Sequence, residues 1–301
     1  MQTRAPATTL PSAIWQERMR AHFEKARAHT LPARARRDRG IAHPVDDFLF
    51  QYYPYSFSFL ESWQPGAGVV LEWNDALEPR ILKGRFHSVR DGILFLDAAV
   101  LSEKEINRLS WIRDLLASTH GRAPHFGCHG LHEWAMVYRG NEVRHEKTAR
   151  LRLPQAEIDA LVRARPIICS HYDAFRFFDQ EARPMNKLQP TLQDRQLLEQ
   201  PGCVHANMDL YKWAAKAMPW TGSELLLECF ELATELRDLD MRASPYDLTE
   251  WNRPPVKIET SEGRREYETE QKRLAEQAAP LRKRLIDVLD LTLALPNPGD
   301  L

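Results

Sequence analysis

The apolar positions change their period several times along the chain, and each change marks an expected element. Over the first forty residues Trp15, Met19 and Phe23 recur every four positions with Ile14 beside them, which predicts a helix with a narrow apolar face. The run Arg34, Arg36, Arg37, Arg39 before Gly40 reads as a solvated basic arm or a phosphate contact. Residues 43–63 crowd eight rings together, from Phe48 to Trp63, as either a core cluster that docks the N-terminal region or a stacking wall for a planar ligand. The runs GVVLEW, ILKGRFHSV and GILFLD over 68–97 are short and β-like, with Arg90-Asp91-Gly92 as a hairpin turn. They predict a small antiparallel sheet.

Beyond residue 100 the period becomes helical. Ser102 and Glu105 have the spacing of a capping box that opens a helix to about residue 117. Further helices are expected at 129–138, 155–164, 191–199, 205–217, 223–241 and 264–293, the last kinked or split by Pro280. The pattern predicts a mainly α, bundle-like single domain over 1–301: a basic helical arm at 1–40, a β insert at 68–97 and a helical body over 100–301.

Composition adds limits. Forty-one Lys and Arg balance 42 Asp and Glu, giving a net charge of −1 and no support for a strongly basic nucleic-acid surface. Thirty-one of the 41 cations are Arg, which suits bidentate contact with carboxylates or anions. No apolar run reaches 18 residues and no secretory pattern is visible, so a cytoplasmic protein without membrane contact is expected. The four cysteines are then thiols or ligands rather than disulfides. They lie 41, 34 and 26 residues apart. That spacing argues against a zinc ribbon and against an iron–sulfur cluster on Cys128, Cys169, Cys203 and Cys229.

Chemistry concentrates in three segments, Gly127–Trp134, Cys169–Asp173 and Gly202–Asp209, each with Cys just before His and a carboxylate nearby. They nominate His132, Glu133, His171, Asp173, His205 and Asp209. Convergence of His132, His171 and His205 in space would define a site. His205, Asp209 and Lys212 share one helix face, either solvated or lining a cavity. Asp173, Phe175 and Arg176 could hold a planar substrate by its faces and edge. Arg242 ends a helix in a polar loop. Glu224, Glu228, Glu231, Glu235 and Asp238 form an acidic stripe, which is either solvated or meets cations, arginines of another helix or a metal. Glu142-x-x-His145 is a single, weak copy of a di-iron pattern. No Walker loop, dinucleotide fingerprint or nucleophile elbow is present.

The stretches HPVDDFLFQYY, GLHEWAMVYR, CSHYDAFRFF, EQPGCVHANMDLYKWA, ECFELA, DMRASPYDL and PVKIET resemble a bacterial family commonly labelled 3-methyladenine DNA glycosylase, over roughly residues 43–260. The resemblance implies hydrolysis of an N-glycosidic bond to a modified base, in nucleic acid or a free nucleoside, with no cofactor. A carboxylate would support the cationic sugar and aromatic rings would hold the base. Glu133, Asp173 and Asp209 are the candidate carboxylates, with Asp173 or Asp209 favoured. His171 or His205 would be the proton donor and Arg176 an anion contact. Trp134, Tyr138, Tyr172, Phe175 and Trp213 are candidate stacking partners, with His132, Lys212 and Arg242 as further substrate contacts. The alternative from the residues themselves is a metal-dependent helical enzyme. Its divalent transition metal would be held by His132, His171 and His205, with Glu228 or Glu231. No protein partner is inferable.

Overall fold

The computed structural model describes residues 8–73, 82–141 and 149–294, so the Glu142–His145 pair lies outside the described residues. The fold is mainly α with a small β-sheet, as the periodicity predicts. A long helix α1 (Ser12–Asp38) is followed by two short ones, α2 (Phe48–Tyr52) and α3 (Phe57–Glu61). The sheet region comes next. The body then runs through α4 (Glu103–His120), α5 (Leu131–Met136), α6 (Gln155–Ala164), α7 (Tyr172–Phe175), α8 (Arg195–Leu198), α9 (Val204–Lys216), α10 (Ser223–Arg242) and α11 (Ser261–Leu293).

The sheet has four strands in the order β1-β2-β4-β3: β1 (Thr8–Leu10), β2 (Val69–Glu72), β4 (Ile93–Leu96) and β3 (His87–Arg90). The β3–β4 hairpin turns at Asp91 and Gly92, both at positive φ, as the Asp-Gly pair predicts. The expected antiparallel set gains a parallel edge, because Thr8–Leu10 pairs with Val69–Leu71. Residues 82–86 carry no strand; β3 begins at His87.

The basic N-terminal helix is docked along the body. Trp15 is fully buried, stacked on Trp63 at 6.4 Å and Trp73 at 6.2 Å, and its indole N–H donates to the Glu72 carbonyl. The Glu72 carboxylate accepts from the Ser12 amide and so caps α1 from across the sheet. The buried line of α1 is Trp15, His22, Ala26, Thr30 and Ala33, while Phe23 and Ile14 are exposed. Its cations are not a free arm: Arg34 pairs with Glu61 and Arg36 with Asp47.

The body is built around α9 and α10, which pack on each other and on α11; α4 also packs on α11. The capping box at Ser102 and Glu105 opens α4, and α11 runs unbroken through Pro280. The acidic stripe of α10 meets cations along its length. Glu224 pairs with Arg18, Glu231 with Lys25 and His29, Glu228 with Arg284, Glu235 with Arg273, and Asp238 with Arg253. These partners come from α1, from α11 and from the loop between α10 and α11. Four arginines, Arg18, Arg253, Arg273 and Arg284, are thus engaged by this stripe.

Candidate active site

The three Cys/His segments converge on the buried face of α9. The rings of His132 (α5) and His205 (α9) meet edge to face at 4.4 Å, and His171, at the start of α7, stacks on His205 at 5.6 Å. Each segment turns sharply into a helix, and Gly130 does so at φ +72°, where Tyr267 and Ala243 lie against it.

Two buried polar networks flank this row. The first centres on Asp240 of α10. His132 Nε2 is 2.6 Å from Asp240 Oδ1, and His132 Nδ1 is 3.4 Å from Cys128 Sγ. Arg237 reaches Glu133 at 3.2 Å and Asp240 at 3.3 Å, with its guanidinium 3.7 Å from the centre of the Phe48 ring. His205 Nε2 lies 3.9 Å from Asp240 Oδ2. Burial alone would lower the His132 pKa, but the charges on Asp240 and Cys128 raise it well above the usual value. Burial, and then His132, depress His205 to about 3, so its imidazole is neutral. Glu133 is raised by burial and by Asp240.

The second network centres on Asp209. It accepts from the Tyr53 hydroxyl at 2.9 Å, from Arg195 at 2.9 Å and from Lys212 at 3.0 Å. Lys212 also donates to Asp173 at 2.6 Å, and Arg195 to Glu199 at 2.6 Å and Asp173 at 3.4 Å. Burial opposes ionisation of Asp209, yet Lys212, His171 and Arg195 hold it well below the carboxylate range. Asp173 is lowered in the same way, burial being outweighed by Lys212. His171 Nε2 is 3.3 Å from Asp209 but out of line for a hydrogen bond.

Between the networks lies a cavity of about 130 Å³. Phe48, Tyr52, Tyr53, Phe177 and Tyr246 supply rings, and Glu133, His171, Asp173, His205, Asp209 and Arg237 supply polar groups. Its size is close to the roughly 150 Å³ that accepts one benzene ring. Part of the 43–63 aromatic stretch thus lines a cavity, while Phe57, Leu60 and Trp63 are core.

All five residues nominated for catalysis line this cavity. The nominated contacts fare unevenly. Lys212 and Arg176 reach Asp173, the latter at 3.4 Å. His132 is buried behind His205. Trp134 is core: it is fully buried, and its indole N–H donates to the Ala243 carbonyl. Tyr138 and Phe175 are core as well, and Tyr172 is half-buried outside the cavity lining. Trp213 is covered by Arg195 and Lys212. Arg242 belongs to a separate cavity, where it donates to the Pro254 carbonyl.

Among the described residues the group with metal-ligand spacing is His132, His205 and Asp240, with donor atoms within 4.8 Å of one another. His171 is not part of it. Glu228 and Glu231 are engaged with Arg284 and with Lys25 and His29, so they are not ligands of this group. The sequence reading missed Asp240, Arg237, Arg195 and Glu199, and took Tyr53 only as one ring of the 43–63 stretch. Arg237 and Asp240 did carry a signal: both are charged, and both fall off the acidic stripe among Leu236, Leu239 and Met241.

No family model, curated protein or solved structure matches the chain. No described helix is long and apolar enough to cross a membrane.

Proposed function

We propose that the protein is an N-glycosylase that hydrolyses the bond between a sugar and a small modified base, in nucleic acid or as a nucleoside. The observation that carries the reading is the placement of Asp173 in an aromatic-walled cavity, held ionised by Lys212. An ionised carboxylate beside the bond can support oxocarbenium character or accept a proton from attacking water. Asp173 takes that role because its side chain retains 13% exposure, whereas Asp209 behind it keeps 3% and has its oxygens committed to Tyr53, Arg195 and Lys212. Asp209 is then a positioning residue that fixes Lys212. Tyr52, Phe48 and Phe177 form walls for the base. Phe48 and Tyr52 already stack at 5.1 Å. His171, which also lines the cavity, hands a proton to the leaving base.

The test is release of free base from alkylated DNA and from modified nucleosides by the full chain. Asp173→Asn is expected to slow release by about 100-fold or more. Absence of release from every substrate above the level of that variant contradicts the reading.

A further inference from the structure

We propose that His132, His205 and Asp240 form a binding site for one divalent transition-metal ion. The inference does not rest on the glycosylase reading, since the three residues are defined by their own geometry.

Three elements deliver three donors to one buried point: His132 from α5, His205 from α9 and Asp240 from α10. The two rings stand at 82° to each other, and one carboxylate faces both. Its Oδ1 is satisfied by His132 at 2.6 Å, while Oδ2 and His205 Nε2, at 3.9 Å, are too far apart for a hydrogen bond. Two donors on one ion sit roughly 3–3.5 Å apart when each bond is about 2.0–2.2 Å. Taking up an ion therefore requires His205 to move in and the His132–Asp240 contact of 2.6 Å to open slightly.

The surroundings support the same assignment. Cys128 Sγ contacts His132 Nδ1, the nitrogen on the far side of the ring, and so holds Nε2 toward Asp240, as an outer partner of a metal-bound histidine does. The Tyr267 hydroxyl is a second, separate sign: it is fully buried and has no hydrogen-bond partner.

The donor set fixes the class of ion. Two imidazole nitrogens and one carboxylate oxygen suit zinc, iron(II), cobalt(II) or manganese(II), not calcium or magnesium, which prefer all-oxygen shells. Three protein ligands leave coordination positions open. His205 also lines the aromatic cavity, so the proposed site borders it.

The experiment is titration of chelator-treated full-length protein with cobalt(II), followed by visible absorption, with zinc competition to obtain affinities. The expected result is saturation at one equivalent with d–d bands in the visible, and displacement by zinc. His205→Ala and Asp240→Asn are expected to weaken binding by more than about tenfold, and Cys128→Ala by about 10–100-fold. Glu228→Gln, which removes a surface partner of Arg284, should leave binding unchanged. Failure of the wild-type protein to bind cobalt or zinc stoichiometrically overturns the proposal. So does wild-type affinity in His205→Ala, judged folded by circular dichroism. If Asp240→Asn does not fold, the wild-type spectrum and His205→Ala still decide. Base release is scored separately after chelation, so failure of one idea is distinguishable from failure of the other.

Discussion

Arg195 donates to Asp209 across 2.9 Å with both side chains almost wholly buried. The pair ties the short helix α8 to the middle of α9, and through Asp209 it sets the position of Lys212 and Tyr53. Breaking one side of such a pair leaves an uncompensated buried charge. Arg195→Met is expected to cost about 3–5 kcal/mol in urea denaturation. Asp209→Asn on that background should add less than it does alone, with a coupling of about 0.5–3 kcal/mol from a double-mutant cycle. Simple additivity would mean that the two side chains do not act on each other.

The same network fixes a pH window. Folding lowers the Asp209 pKa, so its contribution to stability is complete above the unfolded-state value of about 3.9 and is lost as acid titrates the folded carboxylate. Folding raises the Lys212 pKa: burial lowers it, but Asp209 and Asp173 outweigh burial. Its contribution is complete below about 10.4 and is lost as pH rises through the folded value. The stability difference between wild type and Asp209→Asn, measured by denaturant titration, should stay level from about pH 5 to 9 and shrink in acid. A difference that grows on acidification would reverse the assigned sign.

Docking of α1 separates a packing term from a charge term. Trp15→Ala removes a fully buried indole from the stack with Trp63 and Trp73 and is expected to cost about 3–5 kcal/mol. Glu224→Gln removes the partner of Arg18, a pair exposed on both sides, and should cost less than about 1 kcal/mol. Equal losses on thermal or urea unfolding would assign the docking to the ion row instead.

Gly263 marks a backbone approach at the start of α11. A Cβ there would lie 2.0 Å from the Lys257 carbonyl oxygen, and the glycine amide donates to the Thr260 hydroxyl that caps the helix. Gly263→Ala is therefore expected to destabilise by about 1–3 kcal/mol, read from the denaturation midpoint, despite the better helix propensity of alanine.

Local features of the chain were legible where local chemistry decides the outcome. The capping box at Ser102, the Asp91-Gly92 turn and the helix Gln155–Ala164 all follow from spacing within a few residues. The shared Cys–His form of three segments singled out His132, His171 and His205, but only tertiary packing could decide whether they converge. The acidic stripe of α10 was readable, but only tertiary packing could choose between water and arginine as its partner. Arg195 and Glu199 were not readable at all. They sit in TLQDRQLLEQ, a polar stretch without a motif, and take their meaning from Asp209 and Asp173 in other elements. β1 escaped for a similar reason: three residues form a strand only because Val69–Leu71 lies beside them. Trp134 and Tyr138 misled because an aromatic ring serves a core and a binding wall equally well. Their burial reflects packing against α10 and α6, not a cavity.

The central claim is that Asp173 sits at the reacting bond. The direct measurement is the single-turnover rate of base release from an alkylated substrate by wild-type protein, by Asp173→Asn and by Arg242→Gln, which alters a separate cavity. The account predicts measurable release by wild type, a loss of about 100-fold or more in Asp173→Asn and near-normal release by Arg242→Gln. Equal rates in wild type and Asp173→Asn, or no release by either, would contradict it.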